Sequence, residues 1–384
     1  MKKSRVLIVD DSVVVRRLVA NVLSEDTALE VVGTAANGRI ALAKIDRLHP
    51  DVVTLDLEMP DMDGLATLAS IRKAHPSLPV IMFSRFTQRG AAAALDALAL
   101  GANDYVGMPE SAANPESALE CIREQLIPRL KQFATRSRDV EAVVPSSPSS
   151  VGRTRLPPEF SSRMSSRVEV IAVGVSTGGP AALTALLAAF PADLPVPMVI
   201  VQHMPPMFTR LLAERLATQT ALRFREGVEG SKVQPGEGWL APGNQHMEML
   251  RENDGVRLHL QQGPAQNSCR PSVDVLFRSV AEAFGPGALG IVLTGMGQDG
   301  LRGCEAIRAV GGQVLAQDEA TSVVWGMPGA VARAGLADQV LPLEQMGPEI
   351  LRRVRQGRSG SAAGLPRRVS KGLSNATIER RETP

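Results

Sequence analysis

Along the first 135 residues, short apolar runs alternate with longer segments of helical spacing. Arg5–Asp10, Leu29–Thr34, Asp51–Leu55, Pro79–Phe83 and Asn103–Val106 read as strands, each bounded by polar or turn residues. Between them, Val13–Leu23, Ile40–Leu48, Leu65–Ala74 and Gly90–Ala99 read as helices, and Glu116–Phe133 closes the series. This alternation predicts a doubly wound parallel sheet, with ligands beyond the carboxyl ends of its strands. A second series begins at Val168–Val175. It continues through Pro197–Gln202, Gly238–Ala241, Val256–Leu260, Ala288–Leu293 and Gly312–Ala316, with helical runs between several of them. Asn253-Asp254-Gly255 is a turn signal, so Glu248–Leu260 reads as a hairpin. The second domain is therefore expected to be α/β, mostly parallel with some antiparallel strand.

The expected organisation is a first domain at 1–135, a linker at 136–166, a second domain at 167–349 and a basic, disordered tail at 350–384. The linker is rich in Pro and Ser, and its arginines follow no apolar period, so it cannot bury enough surface to fold alone. The 384 residues suffice for two cores, and 44% apolar with 21% charged is ordinary for a globular protein. A net charge of +2 gives no argument for nucleic acid. No apolar run is long enough for stable membrane insertion, and Val6–Val9 stops at two acids, so it is no secretory segment. Cys121, Cys269 and Cys304 are far apart in sequence. That spacing fits a reducing compartment, the cytoplasm, and predicts no zinc site.

Chemistry gathers at strand ends. Asp10 and Asp11 follow the first strand, Asp56 the third and Ser84 the fourth. Three carboxylates on one edge repel each other unless a hard cation such as Mg²⁺ sits among them. One of them can then accept a phosphoryl group. The competing reading, that Asp11 or Ser12 merely caps a helix, accounts for one acid but not for three and a hydroxyl.

In the second series, Ser176 sits in the turn Gly174-Val175-Ser176-Thr177-Gly178-Gly179-Pro180, between a strand and a helix. His203 follows another strand, and Asp299 lies in the glycine-rich loop after a third. A hydroxyl, an imidazole and a carboxylate at one edge are what acyl transfer needs: nucleophile, base and the group that orients the base. Backbone N–H groups after Ser176 and in Thr294-Gly295-Met296-Gly297 are candidates for an oxyanion hole. The alternative is a pair of dinucleotide loops. It is weakened because His203 stands where an acid should hold a ribose.

Asp10-Asp11, Asp56 with Glu58-Met59-Pro60 and Asp63-Gly64, Ser84, and Tyr105 ahead of Pro109 resemble a two-component receiver domain. The resemblance implies a flavodoxin-like fold with Asp56 as phospho-acceptor. It also implies Mg²⁺ on Asp10, Asp11, Asp56 and the Glu58 carbonyl, and Ser84 with Tyr105 as the switch pair. Met108 departs from the pattern, because receivers carry a lysine there and a thioether cannot supply its charge.

Gly174–Pro180, Gln202-His203-Met204, Arg270-Pro271-Ser272-Val273-Asp274, Leu293–Gly300, Ala316-Gln317-Asp318-Glu319 and Gly326-Met327-Pro328 resemble the catalytic domain of the chemotaxis protein-glutamate methylesterases. That likeness implies a Rossmann-like catalytic domain with Ser176, His203 and Asp299 as its triad. Thr177 and Met296 take the oxyanion or site-shaping positions. The implied activity is hydrolysis of glutamate γ-methyl esters, with deamidation of specific glutamines, gated by the receiver. The implied partners are methyl-accepting chemoreceptors and a CheA-type histidine kinase. The esterase itself needs no cofactor.

Overall fold

The computed structural model describes residues 3–85, 87–108, 115–142 and 167–356. The first domain is a five-stranded parallel sheet of order β2-β1-β3-β4-β5. Its strands are β1 (Ser4–Val9), β2 (Leu29–Ala35), β3 (Val52–Leu55), β4 (Val80–Arg85) and β5 (Asp104–Met108). Helices α1 (Val13–Ser24), α2 (Gly38–Leu48), α3 (Gly64–Ala74) and α4 (Gln88–Ala99) each begin at a side-chain cap. Ser12, Asn37, Asp63 and Thr87 accept from the third residue on, satisfying donors the first turn leaves open. Ser12 therefore caps α1, and Asp11 does not. Helix α5 (Pro115–Cys121) leads into α6 (Ile127–Ala142).

The second domain has a seven-stranded sheet of order β14-β13-β12-β6-β7-β9-β8, parallel throughout. Its central strands are β6 (Val170–Val175), β7 (Met198–Gln202) and β12 (Ala288–Val292), all fully buried. Outside them lie β9 (Glu237–Leu240), β8 (Arg223–Glu226), β13 (Gln313–Gln317) and β14 (Gln339–Leu341). The strands are linked by α7 (Gly179–Leu187), α8 (Pro206–Gln219), α9 (Val273–Phe284), α10 (Leu301–Ala309) and α11 (Met327–Arg333). The expected antiparallel strands do not join this sheet. They form a separate hairpin of β10 (His246–Glu252) and β11 (Gly255–Gln261).

Three expectations are corrected. The edge strands β8 and β14 were not anticipated, because edge strands bury little: only Phe224 is buried in β8, and no residue in β14. The linker does not begin at 136, since α6 continues to Ala142 from an anchored segment that includes Leu130 and Phe133. The tail does not begin at 350. Helix α12 (Leu343–Arg355) buries Ile350 and Val354, and its Arg353 is held by Glu349 and Asp338. The arginines there belong to an amphipathic helix. Residues 143–166 and 357–384, where the linker and tail were expected, lie outside the described residues, as does Pro109.

The domains touch face to face. Tyr105 stacks on Phe208 with ring centroids 4.1 Å apart, Arg215 pairs with Asp96 at 2.8 Å, and α4 packs on α7 and α8.

Candidate active site and receiver centre

Chain order reverses around β6, whose neighbours are β7 on one side and β12 on the other. Ser176, His203 and Asp299 follow these three strands, at the crevice where parallel α/β sheets bind ligands. The turn that carries Ser176 is tied down on both sides. Ser176 N–H donates to Thr294 O at 3.0 Å, and Gln202 Nε2 donates to Ser176 O at 2.9 Å. Gly178 has φ +78°, which starts α7 from a left-handed residue, and a Cβ there would collide with Val323. Gly295 lets the opposite loop approach, since its Cβ would lie 2.8 Å from Ser176 Cβ and 2.4 Å from Met327 Sδ. Among the described residues, the N–H groups of Thr177, Gly178 and Met296 have no acceptor. Thr177 is buried, whereas Met296 is 38% exposed.

His203 Nε2 contacts Asp299 Oδ2 at 2.8 Å. Asp299 is only 2% exposed and heavily coordinated. Its Oδ2 also accepts from Val273 N at 2.7 Å. Its Oδ1 accepts from Ser272 Oγ at 2.8 Å, Asn267 Nδ2 at 3.0 Å, and Asp274 and Gly300 N at 3.1 Å. Asp299 thus caps α9 from a distant segment, while Ser272, the residue at the N-cap, makes no cap hydrogen bond to its own helix. Burial alone would raise the Asp299 carboxyl, but His203 and the converging N–H and O–H donors hold it down at about 2. Burial likewise disfavours charge on His203, yet the bonds to Asp299 and Cys269 win and raise the ring well above its usual range.

With Nε2 committed to Asp299, Nδ1 is the ring nitrogen open to a proton donor. Its contact in the structure is Cys269 Sγ, at 3.6 Å. Among the described residues, Ser176 Oγ makes no hydrogen bond, so the histidine–acid pair is assembled and the serine–histidine bond is not.

The first domain closes one side of this site. Thr177 Oγ1 donates to Asp104 Oδ2 at 2.8 Å, and Arg129 Nε holds the same oxygen at 2.9 Å. Ser176, Thr177 and His203 share a cleft of about 60 Å³ with Asp104, Tyr105 and Arg129. That is room for roughly four waters at ~15 Å³ each.

At the carboxyl edge of the first sheet, oxygens of Asp10, Asp11 and Asp56 lie within 4.8 Å of one another. Glu58 is exposed in the turn between β3 and α3. Burial, then the Asp10 charge, push Asp56 up to about 7 against the bonds from Leu57 N–H and Ser84. An all-oxygen, mutually repelling donor set fits Mg²⁺. Tyr105, expected as the switch partner of Ser84, stacks on Phe208 of the second domain. Buried Met108 puts no cation beside the acids. Because ionised Asp56 is penalised in the folded state, Asp56→Asn is expected to raise the melting midpoint at pH 8 by a few degrees. At pH 5 the gain should be smaller but not absent, because the folded carboxyl stays protonated while the unfolded one already ionises; it disappears only below the ordinary carboxylate range. Calorimetry without divalent cations at the two pH values checks this.

Sequence reasoning missed Cys269 and Asn267, and gave Ser272 no role. A serine directly before a helix is a signal for Ser272, though it suggests a local cap. Nothing local points to the other two.

Fold and site together define a class: a phosphorylation-type receiver joined to an α/β enzyme domain, that is, a response regulator whose output is an enzyme. A family model described as CheB methylesterase matches residues 171–350, and one described as response regulator receiver domain matches residues 6–120. A protein-glutamate methylesterase/protein-glutamine glutaminase of Trichodesmium erythraeum is 54% identical over 92% of this chain and 100% of its own length. One from a Nocardioides species is 49% identical over 92% of this chain and 96% of its own. The CheB methylesterase catalytic domain of Thermotoga maritima superimposes with a TM-score of 0.48 at 37% identity, covering 49% of this chain and 99% of that one. The chain belongs to the protein-glutamate methylesterase/protein-glutamine glutaminase family, the chemotaxis response regulators with a methylesterase domain.

Proposed function

We propose that Ser176, His203 and Asp299 hydrolyse glutamate γ-methyl esters on methyl-accepting chemoreceptors, and deamidate specific glutamines there. The observation that carries this is the 2.8 Å His203–Asp299 pair at the sheet edge that also bears Ser176. Ser176 Oγ attacks the ester carbonyl while His203 Nδ1 takes its proton. The unpaired N–H groups of Thr177, Gly178 and Met296 are the donors available to the oxyanion. His203 returns the proton to the departing methanol, or ammonia from glutamine. Water, activated by the same nitrogen, then releases the glutamate from Ser176. Asp299 holds the ring with Nδ1 as the acceptor and stabilises its charge after proton transfer.

The receiver regulates access. A site with space for a few waters cannot accept a side chain carried on a receptor helix, so the Asp104–Thr177 and Tyr105–Phe208 contacts must part first. Asp56 accepts the phosphoryl group from a CheA-type histidine kinase. Asp10, Asp11, Asp56 and the Glu58 carbonyl would hold Mg²⁺, which when bound would offset charge on the transferring oxygens. Ser84, beside Asp56, reports the change. With Met108 in place of a cation, that report is weak. The absence of any helix long and apolar enough to cross a membrane, among the described residues, fits action from the cytoplasm.

The test is methanol release from methylated receptors, with and without acetyl phosphate and Mg²⁺. Asp104→Ala is expected to raise the unstimulated rate severalfold. Acetyl phosphate is expected to activate the wild type modestly and Met108→Lys more. Strong wild-type activation that survives Asp56→Asn contradicts the assignment.

A further inference from the structure

Cys269 and His203 lie 66 positions apart in sequence, yet the fold sets Cys269 Sγ 3.6 Å from His203 Nδ1. Bond lengths of ~2.05 Å for Zn–N and ~2.3 Å for Zn–S, at the tetrahedral angle, give an N···S edge of about 3.5 Å. The pair is therefore spaced as two ligands of one tetrahedral ion. The other ring nitrogen is held by Asp299 at 2.8 Å, the carboxylate–histidine arrangement that orients a metal-binding imidazole. Asp299 is in turn fixed by Ser272, Asn267 and the first N–H groups of α9. Cys269 is also fixed. Its N–H and C=O both bond Gln266, at 2.8 and 3.1 Å, across a two-residue turn in which Asn267 and Ser268 have φ of 51° and 61°. Cys269 is partly exposed, so solvent can complete a coordination shell, whereas Cys121 and Cys304 are buried elsewhere.

We propose that Cys269 Sγ and His203 Nδ1 form an inhibitory site for a borderline-soft divalent metal such as Zn²⁺, with water in the remaining positions. Binding displaces the thiol proton to solvent and occupies the lone pair that Ser176 needs, so the esterase is reversibly shut off. With two protein ligands the site is regulatory in strength, not a structural centre. The inhibition rests on His203 as the base; the binding does not.

The full chain, reduced with a phosphine and saturated with Mg²⁺ to fill the receiver acids, is titrated with Co²⁺. A thiolate-to-cobalt charge-transfer band is expected at one equivalent, displaced by Zn²⁺ and lost in both Cys269→Ser and Cys269→Ala. A wild type without the band, or a band that persists in both variants, overturns the site. In a methanol-release assay, Zn²⁺ is expected to inhibit and a chelator to restore the rate. Each variant, normalised to its own metal-free rate, should need about tenfold more zinc or beyond. Equal sensitivity of wild type and variants overturns the regulatory role. Absence of metal-free methanol release would instead sink the esterase reading and leave the cobalt result standing.

Discussion

Ser176→Ala is expected to cut methanol release from methylated receptors at least about a thousandfold, the scale of losing a serine nucleophile whose neighbours stay in place. The fold should hardly notice. Ser176 Oγ makes no hydrogen bond among the described residues, while the backbone bonds that shape the turn, to Thr294 O and from Gln202 Nε2, do not involve the hydroxyl. An unchanged melting curve with activity gone is therefore the result to look for. Methanol release equal to wild type would show that chemistry happens elsewhere or not at all, leaving a receptor-binding module.

Asp299→Asn should lower kcat on the order of 10⁴-fold and also move the pH profile. In the proposed mechanism His203 must be neutral to take a proton from Ser176. The bond to Asp299 raises the ring above its ordinary 6.5, so kcat/KM climbs with pH on the alkaline side of that value. With asparagine the anion is gone and burial, which disfavours the imidazolium, dominates, so the rising limb moves to lower pH. Asparagine also surrenders one of the two oxygens that accept from the Val273 and Asp274 N–H groups at the start of α9, and the melting midpoint should fall. A pH–rate profile with an unmoved limb would mean that Asp299 does not act on the ring.

The receiver was readable because its chemistry sits where an alternating pattern says strands end: Asp10, Asp11, Asp56 and Ser84 each follow an apolar run. The placement of Ser176, His203 and Asp299 beyond strands of one sheet was readable for the same reason. Two roles were not legible. Ser272 looks like a local cap and instead donates to Asp299, which caps the helix in its place. Tyr105, expected as the switch partner of Ser84, also stacks on Phe208 of the other domain, a contact no local pattern announces. Edge strands β8 and β14, too exposed to leave an apolar trace, were illegible as well.

By itself the chain determined two α/β domains and which strand ends carry polar groups, because hydrophobic period and turn chemistry are local properties. Only the tertiary structure decided which of those ends meet. The order β12-β6-β7 joins residues 176, 203 and 299. The turn at 266–269 brings a thiol to the His203 ring. The docking of Asp104 on Thr177 closes one side of the cleft that holds the serine. Each of these is a contact between segments remote in sequence, fixed by packing and hydrogen-bond satisfaction over the whole fold, and no local window of residues encodes it.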